Sequence, residues 1–370
     1  MPAKNIDAIT TLLYTYVNPS ICLFGLLCNV LNLTVLSSKK LRESPFTYLK
    51  ALAFSDLFTF FFTLSTSITR GTLINKSSID VELFIKKTEI LFFIPTINLF
   101  SAMSVGVVVA LTIERFLFMK FPLNAATICT KHNARRVVAV LFAFIFLFRL
   151  PMYFFRVAQI QENFNASSSQ NVTSQVVVVV PRHEKFQKTY FAISLTIFEI
   201  IPFFILFILN VSIVILLKAS NKSFDALFAK RKGVEQTNLQ VQMDSNASKK
   251  HIETLKQRKR DEIKLTRQLV VLVSLEALSE VFSLITYDKI TEYLIGNQFQ
   301  GYMKNGYTLQ KAVAHSIHLI VHSFNFFVLC AFNTRYFNIF KERYSCIFGK
   351  LLRKKNEIRN NNGTNGANMT

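Results

Sequence analysis

The stretch at residues 101–122, SAMSVGVVVALTIERFLFMKFP, decides the fold of this chain. Its apolar part is long enough to cross a bilayer, because about 20 helical residues rising about 1.5 Å each span roughly 30 Å of hydrocarbon. The run ends in the charged pair Glu114-Arg115, followed by an aromatic residue. Charge at such a boundary is typical of a cytoplasmic membrane face. The stretch therefore predicts a transmembrane helix whose carboxyl end lies at the cytoplasm.

Six further apolar stretches of similar length accompany this one. Hydrophobic residues make up 51% of the chain and aromatic residues 13%, which is unusual for a soluble domain. Backbone groups must be paired in lipid, and runs this long exceed a barrel strand, so each stretch is predicted to be an α-helix. We therefore predict an all-α membrane protein, a seven-transmembrane helix bundle. The predicted spans are 18–37, 46–69, 89–119, 134–156, 189–217, 263–286 and 309–332.

The basic residues predict how the bundle is oriented. More than half of the 43 Lys and Arg residues lie after predicted helices one, three and five and in the tail, and positively charged short loops stay cytoplasmic. We expect an extracellular N-terminus over residues 1–17, a helical domain over 18–345 and a disordered cytoplasmic tail over 346–370. Within the domain, residues 218–262 are predicted to form a long, partly disordered cytoplasmic loop whose distal end extends helix six. Its charges are either solvated or contact an acidic partner.

The net charge of +21 is explained by this topology and by attraction to anionic lipid of the inner leaflet. A nucleic-acid partner is not expected. The sequons at Asn75, Asn165 and Asn171 fall in loops that are predicted to be outside, where glycosylation occurs. The first helix, followed by Lys39-Lys40, is predicted to direct membrane insertion without cleavage.

Several short motifs occur in a fixed order along these segments. They are Gly25-Leu-Leu-Cys-Asn29, Pro45-Phe-Thr-Tyr-Leu, Leu52-Ala-Phe-Ser-Asp56, Glu114-Arg115-Phe116, Pro202, Asn325-Phe-Phe and the amphipathic Phe332 to Tyr344. In this order and spacing the chain resembles a rhodopsin-like G-protein-coupled receptor over about residues 18–345. In texture it is most similar to invertebrate FMRFamide-type neuropeptide receptors and nematode serpentine receptors. The resemblance implies a short cytoplasmic helix after helix seven and a multi-pass location in the plasma membrane.

Asp56 is an acid inside a membrane helix, which costs several kcal/mol unless it finds partners. The resemblance implies that Asn29, Ser104 and Asn325 surround it in a polar pocket, which holds a sodium ion in many relatives. His322 stands next to that pocket in this chain, so we expect an imidazole in place of the cation and no metal or other cofactor. The alternative is a buried network that only orients the helices.

The resemblance implies a cytoplasmic switch at Glu114 and Arg115. Arg115 is expected to pair with Glu114 and to reach Glu262, and its release is expected to admit a heterotrimeric G protein between helices five and six. Asn210 stands where the family places a helix-five tyrosine, so it belongs to the same switch region. The alternative is a charge pair that anchors helix three among the lipid head groups.

The chain also departs from the family pattern. Helix six reads Glu276 and Ser279-Glu280-Val281-Phe282 where relatives have Phe and Cys-Trp-x-Pro, and Leu329 replaces the helix-seven tyrosine. The family disulfide above helix three cannot form, although residues 176–180 are predicted to be a strand of a β-hairpin. Cys346, just past the amphipathic helix, is either palmitoylated or an unmodified surface thiol.

Ligand contacts are predicted at Ile97, Glu280 and His315, since ionisable groups in membrane helices are functional candidates. A neuropeptide is the leading ligand class, and a small environmental molecule sensed by a chemosensory receptor is the alternative. An amine ligand is disfavoured because Ile97 occupies the position of the usual aspartate. No hydrolase or metalloprotease motif occurs, so the chain is not expected to be an enzyme. No internal repeat indicates a transporter built from duplicated halves.

Overall fold

The computed structural model describes residues 3–69, 78–164, 173–237, 245–286 and 307–345. Within these residues seven helices are long and apolar enough to cross a membrane, which confirms the predicted bundle. They are numbered here in chain order as α1 (Ala8–Leu36), α2 (Ser44–Ile68), α3 (Ile79–Lys120), α4 (Lys131–Tyr153), α5 (Glu184–Ala219), α6 (Ile263–Ile285) and α7 (Tyr307–Phe332).

The helices α1, α3 and α5 begin upstream of their predicted starts, and each continues through a proline. Proline lacks an N–H, and its ring displaces the carbonyl of the preceding turn, so it usually ends or kinks a helix. Here a wider π-helical turn comes two residues before each proline and absorbs both effects. The three π-turns and their prolines are Leu13–Val17 with Pro19, Glu89–Phe93 with Pro95, and Thr196–Ile200 with Pro202.

The helical structure also extends beyond the membrane spans. One helix covers Ser245–Ile285, which confirms the prediction that helix six extends into the preceding loop. The helix Ile201–Thr237 continues α5 through residues that were expected to form a loop. That expectation was wrong for residues 218–237, because polar composition alone does not end a helix, and this stretch has no proline and only Gly233 near its end.

A further helix, α8, covers residues 334–345 after α7, as predicted. Asn333 caps it, because the Asn333 side-chain oxygen accepts a hydrogen bond from the Tyr336 backbone N–H at 2.9 Å. The Tyr336 hydroxyl donates to Asn32 Oδ1 of α1 at 2.7 Å, and burial raises the pKa of this phenol, so it remains a neutral donor. Lys40 and Glu342 add an exposed ion pair at 2.5 Å. These contacts hold α8 against α1 and the loop that follows it.

The apolar core of the bundle is centred on α3. Met103, Val107 and Leu111 follow one another at four-residue spacing and are fully buried, so this stripe of α3 packs inside the bundle. Gly25 of α1 faces the ring of Phe60 on α2, and a Cβ at Gly25 would lie 2.5 Å from a ring carbon. The glycine therefore permits close packing of α1 on α2.

A β-hairpin connects α4 and α5. Strands β1 (Arg156–Phe164) and β2 (Thr173–Pro181) pair antiparallel, with Val157 opposite Val180, which confirms the predicted strand at 176–180. The base of the hairpin is fixed without a disulfide. The Arg182 N–H donates to the Phe155 carbonyl at 2.9 Å, and the Phe155 ring packs 4.7 Å from that of Tyr190 on α5.

Candidate functional site

A cluster of polar side chains lies inside the bundle where α2, α3, α6 and α7 meet. Asp56 accepts hydrogen bonds from Ser104 Oγ at 2.7 Å and Asn325 Nδ2 at 3.1 Å. His322 Nδ1 lies 2.9 Å from the same carboxylate. On the other side of the imidazole, Glu276 Oε2 lies 3.2 Å from His322 Nε2, and Glu276 Oε1 lies 3.4 Å from Asn325 Nδ2. One imidazole thus stands between two carboxylates.

The burial of these three side chains explains why they lie together. Asp56, Glu276 and His322 are all nearly inaccessible to solvent, with exposed fractions of 1%, 3% and 5%, and unpaired charges at such depth are strongly unfavourable. An ionised carboxylate can only accept a hydrogen bond, so if Asp56 carries its charge, His322 Nδ1 is the donor of the contact between them. The Nε2 contact with Glu276 is close but is not aligned as a hydrogen bond. An imidazolium here provides one positive charge for two acids.

The cluster does not fit a sodium ion. A sodium site requires oxygen ligands around the cation, but a ring nitrogen of His322 lies directly against Asp56 Oδ1, and Ser104 Oγ donates to the same oxygen. The imidazole therefore lies where a cation beside Asp56 would have to bind.

Two residues in this region differ from the sequence prediction. Asn29 is fully buried as expected, but its side-chain Nδ2 donates to the Gly25 carbonyl of its own helix at 3.0 Å, and its Oδ1 has no hydrogen-bond partner. Its predicted contact with Asp56 is replaced by this local bond. Glu276 was recognised as a membrane-embedded acid but was not assigned to the pocket. The sequence offered one signal, namely an ionisable residue in an apolar helix. It did not indicate the partner of this residue, because the partner depends on the rotation of α6.

A second cluster lies at the end of α3 that is predicted to be cytoplasmic. Arg115 Nη2 lies 2.7 Å from Glu114 Oε1, and both side chains are only 6% exposed. Ser44 Oγ donates to Glu114 Oε2 at 2.5 Å, and the side chain of Tyr48 lies next to this carboxylate. Glu114 is therefore held by its neighbour and by the first two turns of α2.

A closed layer covers the interior side of Arg115. Asn210 Nδ2 on α5 donates to Ser274 Oγ on α6 at 2.8 Å. Arg115 packs with Asn210, Thr266 and apolar side chains of α3, α5 and α6 in a region with no room for a water molecule. The predicted contact of Arg115 with Glu262 falls on a side chain outside the described residues.

A cavity of about 320 Å³ lies among α1, α2, α3 and α7. Ile97 and His315, which were both predicted to contact a ligand, line it together with Lys311 and the hydroxyl-bearing side chains of Tyr14 and Thr63. The Thr63 hydroxyl is buried and has no hydrogen-bond partner. The cavity therefore combines apolar walls with donors and a cation.

Glu280 differs from its prediction as a ligand contact. It does not line this cavity and has an exposed fraction of only 2%. Its carboxyl instead lies next to that of Glu199 on α5. The difference arises because the rotation of α6 turns Glu280 towards α5, which the sequence does not specify.

Comparison with known proteins identifies the family. A family model described as 7 transmembrane receptor (rhodopsin family) matches residues 29–342. The chain belongs to this family. The receptor is 27% identical over 335 residues to a probable G-protein coupled receptor of Caenorhabditis elegans, covering 90% of this chain and 69% of that protein. It is 30% identical over 207 residues to lysophosphatidic acid receptor 6 of Gallus gallus, covering 56% of this chain and 62% of that protein.

Four predicted modification sites of this rhodopsin-family receptor lie outside the described residues. They are the sequons at Asn75, Asn165 and Asn171 and the thiol at Cys346. Basic residues at the starts of α3 and α5 form a rim beside the hairpin, and its charge is partly neutralised within the described part of the chain. Lys86 pairs with Glu82 at 2.7 Å, and Lys188 pairs with Glu184 at 2.6 Å. The rim is therefore less positive than composition alone indicates.

Proposed function

We propose that this receptor carries the signal of an extracellular ligand across the plasma membrane to a heterotrimeric G protein. Its N-terminus faces outside, in line with the distribution of Lys and Arg. The observation that supports coupling most directly is the buried Glu114–Arg115 pair at the predicted cytoplasmic end, beside the junction of α5 and α6. This arrangement holds Arg115 in a closed state that must open before a partner can reach it.

Opening requires the α5–α6 junction to separate. The Asn210–Ser274 hydrogen bond is one direct polar contact across it, and the layer around Arg115 is tightly packed. A neutral hydrogen bond contributes only about 1 kcal/mol, so ligand binding can supply enough free energy to break it. The freed Arg115 then offers its guanidinium to acceptors of the G protein. The side-chain amide of Asn210 thus helps to hold α5 and α6 together in the closed state.

The ligand is proposed to be a peptide that places one end in the cavity lined by Ile97, Lys311 and His315. A cavity of about 320 Å³ holds a side chain or a chain terminus and leaves the remaining peptide to the hairpin and the outer loops. Lys311 and the neighbouring hydroxyls favour an acidic group, such as a peptide carboxylate. A phosphate-bearing lipid is the second candidate, because the Gallus gallus relative is named for lysophosphatidic acid.

The coupling proposal is tested with Arg115→Ala. Cells that express the receptor are screened with a peptide library and with lysophosphatidic acid, using a calcium or cyclic-nucleotide reporter. We expect the variant to bind the active ligand and reach the cell surface normally but to lose the reporter response. The matched control is Arg136→Ala, which removes the same charge from an exposed position of α4. Full signalling by Arg115→Ala at normal surface expression would refute the assignment.

A further inference from the structure

The cavity proposed for the ligand does not touch the helix that has to move. Within the described part of the chain, the side chains that line this cavity come from α1, α2, α3 and α7, and none comes from α6. Yet α6 helps to enclose Arg115 and has to separate from α5 before Arg115 is released. A signal from the cavity therefore has to reach α6 through a residue outside the cavity walls.

Two side chains at the start of α7 bind the outer end of α6. The Tyr307 hydroxyl donates to the Thr286 carbonyl, just after α6, at 2.6 Å, and Gln310 Nε2 donates to the Ile285 carbonyl at 2.9 Å. The last carbonyls of a helix have no partner within the helix. These bonds therefore satisfy acceptors at the end of α6 and fix that end to α7.

Tyr307 also contacts the cation of the cavity. The Lys311 ammonium lies 4.1 Å from the centre of the Tyr307 ring, and Lys311 lines the cavity. A cation over a ring face is attracted to it, so Lys311 holds the ring in place. Its charge also polarises the phenol and makes the hydroxyl a stronger donor. Because Tyr307 is only 6% exposed, water competes little for either contact.

An acidic group in the cavity changes this arrangement. A carboxylate or a phosphate is a stronger partner for an ammonium than an aromatic ring is, because it adds charge-assisted hydrogen bonds. Pairing with such a group neutralises Lys311 and draws its ammonium away from Tyr307. The hydrogen bond between the Tyr307 hydroxyl and the Thr286 carbonyl is then weakened.

We infer that Tyr307 is a positioning residue that transmits the binding of an acidic group at Lys311 to the outer end of α6. The inference rests on the proposed function only in assigning that acidic group to the ligand. A helix moves as a nearly rigid element, so loosening its outer end allows α6 to change its tilt. The Asn210–Ser274 contact lies on the same helix and is strained by that change.

The test requires neither a ligand nor a G protein, so its outcome does not depend on whether the receptor signals as proposed. The purified full-length receptor in neutral detergent is placed in deuterated buffer, and mass spectrometry measures amide exchange in residues 279–286. Lys311→Met imitates neutralisation of the lysine and is expected to speed this exchange about threefold. Tyr307→Phe keeps the ring but removes the hydroxyl, and we expect about fivefold faster exchange. Adding Lys311→Met to Tyr307→Phe is expected to cause little further change, because the path is already broken.

Each variant has a matched control at the same side of the bundle. Tyr190→Phe removes a hydroxyl that donates to the Phe148 carbonyl at 3.0 Å, so it breaks the same kind of bond between α5 and α4. Lys188→Met removes a lysine charge from the start of α5. We expect both controls to leave exchange in residues 279–286 nearly unchanged. Lys311→Arg keeps a cation over the ring and is expected to preserve the slow exchange. The melting midpoint of each variant shows that it is folded.

Three results would overturn the inference. The first is unchanged exchange in Lys311→Met, and the second is an equal acceleration by Lys311→Met with and without the Tyr307 hydroxyl. The third is an equal acceleration by Lys188→Met, which would show a general effect of surface charge. If Tyr307→Phe unfolds the receptor, Lys311→Met is compared with Lys311→Arg, and equal exchange in these two variants would count against Tyr307 in the same way.

Discussion

Replacing His322 with leucine removes the group that separates two buried carboxylates. His322 Nδ1 and Nε2 lie 2.9 Å and 3.2 Å from oxygens of Asp56 and Glu276, whose exposed fractions are 1% and 3%. Removing one partner of a buried ion pair costs about 3–5 kcal/mol, because the remaining charge has neither a partner nor water. We expect His322→Leu to lose stability of this size, roughly two to four orders of magnitude in the folding equilibrium.

The loss is measured as a shift of the melting midpoint of the detergent-purified receptor. For a large domain about 1 kcal/mol corresponds to about 2 °C, so the expected decrease is about 6–10 °C. A thiol-reactive dye reports unfolding, because Cys22 and Cys28 are 0% and 3% exposed and become accessible only when the bundle opens. One heating rate is used throughout, since unfolding of this kind is commonly irreversible.

The control is His318→Leu, which removes the same side chain one turn earlier on α7. The His318 ring lies 4.2 Å from that of His322, and its Nδ1 has no hydrogen-bond partner. We expect its midpoint to stay near that of the unmodified receptor. Adding Glu276→Gln to His322→Leu removes one of the two acids and is expected to recover part of the loss. Equal midpoints for His322→Leu and His318→Leu, or no recovery in the double variant, would refute the charge argument.

Three further predictions follow from neighbouring contacts. Replacing a bulky organic cation in the buffer with sodium is expected to leave the melting midpoint of the receptor unchanged, because His322 occupies the cation position. A clear sodium-dependent rise of the midpoint would contradict this. Gly25→Ala is expected to lower the stability of the receptor by about 1–3 kcal/mol, because the added methyl group clashes with Phe60. Adding Phe60→Leu is expected to recover part of this loss. An unchanged melting midpoint for Gly25→Ala would show that α1 and α2 are not packed this closely. Burial, followed by the charge of Glu114, raises the pKa of the Cys129 thiol, so at neutral pH less thiolate is present and iodoacetamide should react slowly. Glu114→Gln should speed this reaction, as measured by mass spectrometry of the Cys129 peptide, and equal rates count against the contact.

The sequence by itself determined the number and approximate places of the membrane helices. Lipid leaves a polypeptide backbone no partner except itself, so a long apolar run has to be a helix wherever it packs. The sequence also determined that Asp56 requires polar or charged partners, because the free-energy cost of an isolated acid in hydrocarbon does not depend on the details of the fold. The resemblance to rhodopsin-like receptors implied Ser104 and Asn325 as its neighbours, with His322 next to them, and the structure brings all three into contact with Asp56.

Only the tertiary structure decided which further polar groups meet. Glu276 and Glu280 lie four residues apart on one helix, yet one faces His322 and the other faces Glu199. Asn29 bonds to its own helix although it is buried like the rest of the cluster. Such choices depend on the rotation and crossing of α6 and α1 against their neighbours, and these are set by packing over the whole bundle. Local sequence specifies that a charge must be paired, whereas the assembled helices specify its partner.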